Sequence, residues 1–284
     1  MKAKQLTTTI RDSYPPLVEI QGVTSASLIA RCEGHNEYGS IKSVMVRHLL
    51  QKAMAQGSLS RGDRVIEASS GNTGIALAGI GSELGLKVSI VLLEGADSSI
   101  VDHLKGLGAD IHYCNRQEGM RGMLSYIKSN FPGTFSIDQF RNKDIVPAYV
   151  ETHEHHLMEQ LDAINFVPDY LFACVGTGGT LQGIGTILRK RWPKVCIVAV
   201  EKESEAAPID GIRNTQVAYF GDVDIYSKGF PDKTVYIGEC PKIPNELEAS
   251  PSCAALLEAI RCYPLSASDR VLAIFCDARI KALN

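Results

Sequence analysis

The chain of 284 residues is 45% apolar and 21% charged, enough for one large α/β unit or two average domains around a sizeable core, which excludes a disordered, collagen-like or fibrous chain. Lys and Arg number 29 against 32 Asp and Glu, a formal net charge of -3 with no clustered basic stretch, so neither nucleic acid nor membrane is an expected partner. No apolar run nears the roughly 18 to 20 residues of a bilayer span and the opening MKAKQLTTTIRDSYPP has no signal-peptide core, so the expected location is cytoplasmic.

From residue 64 onward, β-branched apolar runs alternate with stretches of helical period, the signature of βα units that stack into a parallel sheet. In chain order the pattern predicts a helix over 40–55, then strand 64–69, helix 73–84, strand 87–93, helix 98–106, strand 109–114, helix 118–129 and strand 134–138. Helix 145–162, strand 170–176, helix 179–191, strand 195–201, helix 252–262 and strand 270–277 complete it. Runs such as KVSIVLL and VCIVAVE are apolar throughout, as strands with helices on both faces require. The Pro-, Gly- and acid-rich segment 203–251 reads as irregular chain laid over the domain. The eight cysteines form no CxxC pair and sit mostly in apolar stretches, so buried thiols are expected and a disulfide scaffold or zinc site is not. His153-Glu154-His155-His156 is not HExxH, because Leu157 holds the fifth place, and reads as a helix face with no metal.

Three turns carry candidate chemistry. Glu33-Gly34-His35-Asn36-Glu37-Tyr38-Gly39-Ser40-Ile41-Lys42 leads into an amphipathic helix with Ser40 as N-cap, and Lys42 in its first turn meets the positive end of the helix dipole, which lowers an amine pKa. A neutral amine suits a Schiff-base lysine; the alternative is a solvated surface charge. Ser69-Ser70-Gly71-Asn72-Thr73-Gly74 joins a strand to a helix, where backbone N–H groups, hydroxyls and an amide suit an anion, or where Ser/Thr capping simply tightens a connection. Gly176-Thr177-Gly178-Gly179-Thr180 repeats that placement as a phosphate cradle, the alternative being close β-α packing. It is neither GxGxxG nor GxxxxGK[ST].

With Pro15-Pro16-Leu17-Val18 upstream and the spacing Glu33, Asn36, Ser40, Lys42, these turns resemble the pyridoxal-phosphate enzymes of the cysteine synthase and cystathionine β-synthase family, fold type II. The resemblance covers nearly the whole chain and implies an α/β fold of two domains with twisted, parallel-type sheets covered by helices. The small mobile domain, 36–146, would hold the Schiff-base lysine and the substrate-carboxylate loop, and would close on substrate. The large cofactor-binding domain, 1–35 with 147–284, would hold the phosphate loop. By the same resemblance Lys42 carries pyridoxal 5'-phosphate and serves as base and acid at the substrate Cα, and Asn72 bonds the cofactor's ring hydroxyl. Ser69, Ser70, Gly71 and Thr73, with Gln139 of SIDQF, hold the substrate α-carboxylate. Gly176, Thr177, Gly178, Gly179 and Thr180 bind the cofactor phosphate, and Ser252 faces the pyridine nitrogen, with plain helix capping as its other reading. Cys253 in place of a glycine, the HEHH run and a shortened 230–251 segment depart from the family pattern.

The implied function is β-replacement on an activated L-serine, O-acetyl- or O-phospho-L-serine, through an aminoacrylate intermediate, with sulfide or another small nucleophile, in a homodimer. Arg213 of Asp210-Gly211-Ile212-Arg213-Asn214 resembles phosphoserine-using relatives and offers a fork for a leaving phosphate; the other reading is a loop arginine paired with Asp210 or Asp222. A β-eliminating lyase or dehydratase, and a catalytically divergent relative that serves as a binding partner, remain alternatives.

Overall fold

A computed structural model of the chain describes residues 2–6, 14–69, 71–207, 209–218, 224–239 and 247–280. The chain opens with strands β1 (Lys2–Gln5), β2 (Leu17–Gln21) and β3 (Ser27–Cys32), then helix α1 (Lys42–Ala55), β4 (Arg64–Ala68), α2 (Asn72–Glu83) and β5 (Lys87–Leu93). It continues through α3 (Ser98–Gly106), β6 (Asp110–Cys114), α4 (Gly119–Asn130), α5 (Ile145–Ala163), β7 (Tyr170–Cys174), α6 (Gly179–Arg191) and β8 (Cys196–Lys202). Strands β9 (Lys233–Ile237) and β10 (Leu247–Glu248), helix α7 (Pro251–Cys262) and strands β11 (Arg270–Phe275) and β12 (Arg279–Ile280) close it. Among the described residues no helix is long and apolar enough to cross a membrane.

Two compact units result: Met1–Ile41 with Lys143–Asn284, and Lys42–Asn142. The first is built on a seven-stranded sheet of order β1-β2-β3-β11-β7-β8-β9. Its strands from β3 through β11, β7 and β8 to β9 run parallel, while β1, β2 and β3 pair antiparallel. Buried side chains of β7, β8, β11 and α7 form its core, where Phe172 meets the Tyr263 ring edge-on at 5.2 Å. The second unit holds a parallel sheet of order β4-β5-β6, whose Ile66, Ala68 and Val91 pack with Met123 of α4. The inner parallel strands β5, β7, β8 and β11 are buried along most of their length, while the edge strands β6 and β9 carry exposed polar residues.

Three expectations need correction. The run 134–138 is not a strand: it makes one bridge, Phe135 to Val65, and then leaves extended geometry at Asp138, whose φ is +50°. The 203–251 segment contains a full sheet strand, β9, where the β-branched and aromatic KTVYI pairs with β8. The antiparallel β1–β3 meander, which begins before residue 64, is absent from the sequence reading. Helix α1 starts at Lys42, so Ile41 rather than Ser40 directly precedes it.

Parallel strands leave every strand-to-helix turn at their carboxyl ends, where open α/β sheets bind ligands. Replacing Phe172 by Ala in the core of the larger unit should cost about 3–5 kcal/mol of unfolding free energy, read from urea denaturation followed by circular dichroism.

Candidate active site

Within the Lys42–Asn142 unit, Lys42 is half-buried at the start of α1. Strand β4 ends at Ala68 and α2 opens at Asn72, so the SSGNTG turn spans the gap. Ser69 closes that turn: its Oγ accepts the N–H groups of Gly71 (3.3 Å) and Gly74 (3.1 Å), which leaves the hydroxyl proton to donate. A Cβ at position 74 would lie 2.5 Å from the Ser69 carbonyl oxygen, so only glycine lets the turn close. Thr73 Oγ1 donates to Gln139 Oε1 at 2.7 Å, both side chains buried, and Gln139 Nε2 donates to the Ala68 carbonyl at 3.4 Å. Ser69, Gly71, Asn72, Thr73 and Gln139 thus converge at the end of β4. Ser70 lies outside the described residues.

The sequence reading missed Glu67 on β4. It is 1% exposed, and its Oε2 accepts the Asp138 N–H (2.8 Å) and the Ser136 hydroxyl (3.0 Å). Burial pushes this carboxyl up to about 7 against those bonds. A lone acid inside an apolar parallel strand was the available signal.

In the other unit, β7 runs through Val175 into Gly176–Thr180 and α6. Gly178, the N-cap of α6, has φ +89°, and a Cβ there would lie 2.5 Å from the Tyr226 ring. The N-cap glycine has no side chain to offer and Thr177 Oγ1 accepts only the Gly179 N–H, at 3.4 Å; the helix ladder begins with the Gln182 N–H on the Gly178 carbonyl at 3.1 Å, so the Thr180 and Leu181 N–H groups precede it. With the buried Thr177 and Thr180 hydroxyls, this donor set at the positive end of a helix fits a phosphate. Gly176 packs against the Gly211 carbonyl, 2.6 Å from where a Cβ would sit, and Gly211 in turn adjoins Ser252.

Arg213 is a paired loop arginine with Asp224 as a carboxylate partner; Asp222 lies outside the described residues. Nη1 and Nη2 reach Asp224 Oδ2 (2.6 Å) and Oδ1 (2.8 Å), and Nη2 also reaches the Thr177 carbonyl at 3.4 Å. Its guanidinium fork is thus engaged by a carboxylate, and its bond to the Thr177 carbonyl ties it to the Gly176–Thr180 turn. Tyr226, over Gly178, lies 5.9 Å from the guanidinium carbon. The Gln182 side chain holds this segment through the Ile225 carbonyl (2.8 Å) and the Ser227 N–H (3.0 Å).

Ser252 sits just inside α7, whose N-cap is Ser250, and the two hydroxyls bond at 2.7 Å. Cys253, where the family carries glycine, is buried with its thiol donating to Asp277 Oδ1 at 3.3 Å.

Glu33 and Asn36, ahead of Lys42, belong to a buried ionic cluster. Glu33 meets Arg31 Nε at 2.8 Å and His153 Nε2 at 3.6 Å, and accepts from the Asn36 amide. Burial pushes its carboxyl up, but Arg31, His153 and Asn36 together hold it down at about 2. The HEHH run thus turns His153 inward and stacks His156 on Tyr14 at 3.8 Å. Among the described residues no three metal-ligating side chains cluster.

Residues 12–227 match the pyridoxal-phosphate dependent enzyme family, and the chain belongs to that family. The family's cofactor is pyridoxal phosphate, which suits the donors of the α6 turn. A cysteine synthase of Staphylococcus aureus is 33% identical over 203 residues, covering 68% of this chain and 63% of that one. A cystathionine beta-synthase of Dictyostelium discoideum is 32% identical over 214 residues, 72% of this chain and 42% of its own. The chain therefore spans less than two thirds of either relative's length. The crystal structure of an O-acetyl serine sulfhydrylase isoform 3 from Entamoeba histolytica has a TM-score of 0.75 at 25% identity, covering 96% of this chain and 89% of that one.

Glu33 is ordinarily a carboxyl of pKa 4.5 and is held at about 2 in the fold, so its stabilisation is complete above pH 4.5 and is lost as pH falls towards 2. Glu33→Gln, which strands Arg31, should cost about 3–5 kcal/mol at pH 7 in urea denaturation, and the gap to the parent should narrow below about pH 4.5.

Proposed function

We propose that this chain catalyses β-replacement on an activated L-serine, exchanging the β-substituent for sulfide or another small nucleophile as a cysteine synthase does. The observation that carries the reading is the buried Gln139 amide, oriented by Thr73 beside Ser69, which leaves one Nε2 proton and the Ser69 hydroxyl proton as donors for an amino acid's carboxylate on the unit that begins with Lys42. The similarity to cysteine synthases supports the same substrate class. Because Asp224 occupies the Arg213 fork, O-acetyl-L-serine is favoured over O-phospho-L-serine as donor.

Pyridoxal phosphate, when bound, supplies the electron sink that makes a Cα proton removable and a β-substituent able to leave. Lys42 Nζ would hold the cofactor's aldehyde end and, once released, would serve as the base that takes the substrate's Cα proton and the acid that returns it. The Ser69 hydroxyl, Gly71, Thr73 and the Gln139 amide orient the α-carboxylate, with Ser70 assigned to the same task. Asn72 holds the ring hydroxyl, and the Gly176–Thr180 turn, through the Thr180 and Leu181 N–H groups and the Thr177 and Thr180 hydroxyls, holds the phosphate. Ser252 would present a neutral hydroxyl to the ring nitrogen, a partner that favours loss of a β-substituent over transamination. A cytoplasmic homodimer is the assembly this reading adopts, by resemblance to the family.

Purified protein should turn yellow with pyridoxal phosphate, and borohydride reduction should label Lys42 in a peptide map. Lys42→Ala should lower cysteine formation from O-acetyl-L-serine and sulfide by about a thousandfold. Protein that stays colourless, or a label on another lysine, overturns the reading; pyruvate in place of cysteine, with sulfide present, points to an eliminating lyase. Gly178→Ala, which forces a side chain into a left-handed turn beneath Tyr226, should weaken cofactor binding at least about tenfold in an absorbance titration.

A further inference from the structure

We infer that Glu67 is a positioning residue for the substrate's α-carboxylate: from the end of β4 it straps the 136–139 turn so that the Gln139 amide meets Thr73. This rests on the reading above, in which that turn takes the carboxylate. Glu67 stands two residues before Ser69, and nothing in the proposed chemistry uses it.

The turn it holds cannot hold itself. The chain leaves its single bridge at Phe135, where the Ile66 N–H meets the Phe135 carbonyl at 2.9 Å, and must reverse within a few residues to bring Gln139 back to β4. It does so by placing Asp138, which is not glycine, at φ +50°, a sparsely populated conformation that persists only where surrounding bonds determine it. Glu67 supplies two of them, through the Asp138 N–H and the Ser136 hydroxyl. Behind the reversal, the Arg141 and Asn142 N–H groups bond the Asp138 carbonyl, each at 2.9 Å, and Asn142 Nδ2 bonds the Ile137 carbonyl at 2.9 Å. Arg141 also pairs with the Asp138 carboxylate at 2.9 Å on the exposed side.

The product of this bracing is a fixed amide. Gln139 Oε1 accepts from Thr73 and one Nε2 proton faces the Ala68 carbonyl, so the second Nε2 proton remains for a carboxylate oxygen. Removing the buried acceptor leaves the Asp138 N–H only the longer bond to Ser136 Oγ at 3.1 Å and frees Ser136 itself from β4, which lets φ relax and releases Gln139. The effect falls on a contact that only a substrate bearing a carboxylate makes.

Holoenzyme absorbance should therefore be titrated with L-alanine and with L-alaninol, which shares the amine and lacks the carboxylate. Glu67→Ala should raise the dissociation constant of L-alanine about tenfold and that of L-alaninol less than about twofold, with KM for O-acetyl-L-serine rising more than kcat falls. Glu67→Gln, which keeps an acceptor in place, should stay within about threefold of the parent. If Glu67→Ala does not fold, Ser136→Ala, which removes the Ser136 bond to Glu67 and the second acceptor of the Asp138 N–H but keeps the Glu67 bond to that N–H, should raise the L-alanine constant about threefold without moving that of L-alaninol. Equal losses for both ligands, or no loss for either, overturn the assignment. A parent protein that labels at Lys42 but fails to distinguish L-alanine from L-alaninol overturns the substrate reading and this assignment with it.

Discussion

A carboxylate wholly out of water stays ionised only when cations and donors surround it, and much of the larger unit is arranged to give Glu33 that surrounding. Arg31 comes from the end of β3, His153 from the inward face of α5, and Asn36 from the turn that follows. One buried charge therefore ties a central strand, a long helix and the approach to Lys42. The ends of the approach are fixed separately by the chain after β11: the Gly34 N–H bonds the Ala278 carbonyl at 3.0 Å and the Ile41 N–H the Cys276 carbonyl at 2.8 Å. The segment between β3 and α1, which holds two short 3-10 turns, Glu33–His35 and Glu37–Gly39, is thus fixed at its start by ion pairing and a backbone bond and at its end by another backbone bond.

The two strand-to-helix turns meet the same problem, the unsatisfied donors of a helix start, in opposite ways. At α2 the Ser69 hydroxyl absorbs two N–H groups, so the turn offers side chains to a ligand. At α6 the Thr177 hydroxyl takes only the Gly179 N–H, and the turn offers its next backbone donors beneath Tyr226, in a segment held by Arg213, Asp224 and Gln182. A carboxylate that must enter and leave suits the first design, and a phosphate that stays bound suits the second.

The helices were legible because 3.6-residue periodicity survives burial, and the parallel strands because continuous apolar runs admit few other readings. The β1–β3 meander was not, since KAKQ and LVEIQ mix polar and apolar residues as an antiparallel edge does, and their pairing is decided by tertiary contacts. Strand β9 hid in a segment whose composition is that of a loop. In the site, Lys42 and both glycine turns stood out by motif, and Gln139 by resemblance. The partner of Arg213 and the strap made by Glu67 did not, because each depends on which of several acids the fold brings near, a choice made by chain geometry between residues 11 apart in one case and 71 in the other.

None of the seven described cysteines is in a disulfide, and the surroundings of six of them keep sulfur protonated. Burial raises Cys32 to about 12 and Cys174 and Cys253 well above an ordinary thiol; burial also lifts Cys114 and Cys196, and a bond to Glu258 lifts the exposed Cys262. Thiolate, not thiol, attacks disulfides and is readily oxidised. Raised thiol pKa values of this kind disfavour the thiolate, so these six sulfurs are poor nucleophiles for thiol–disulfide exchange near neutral pH.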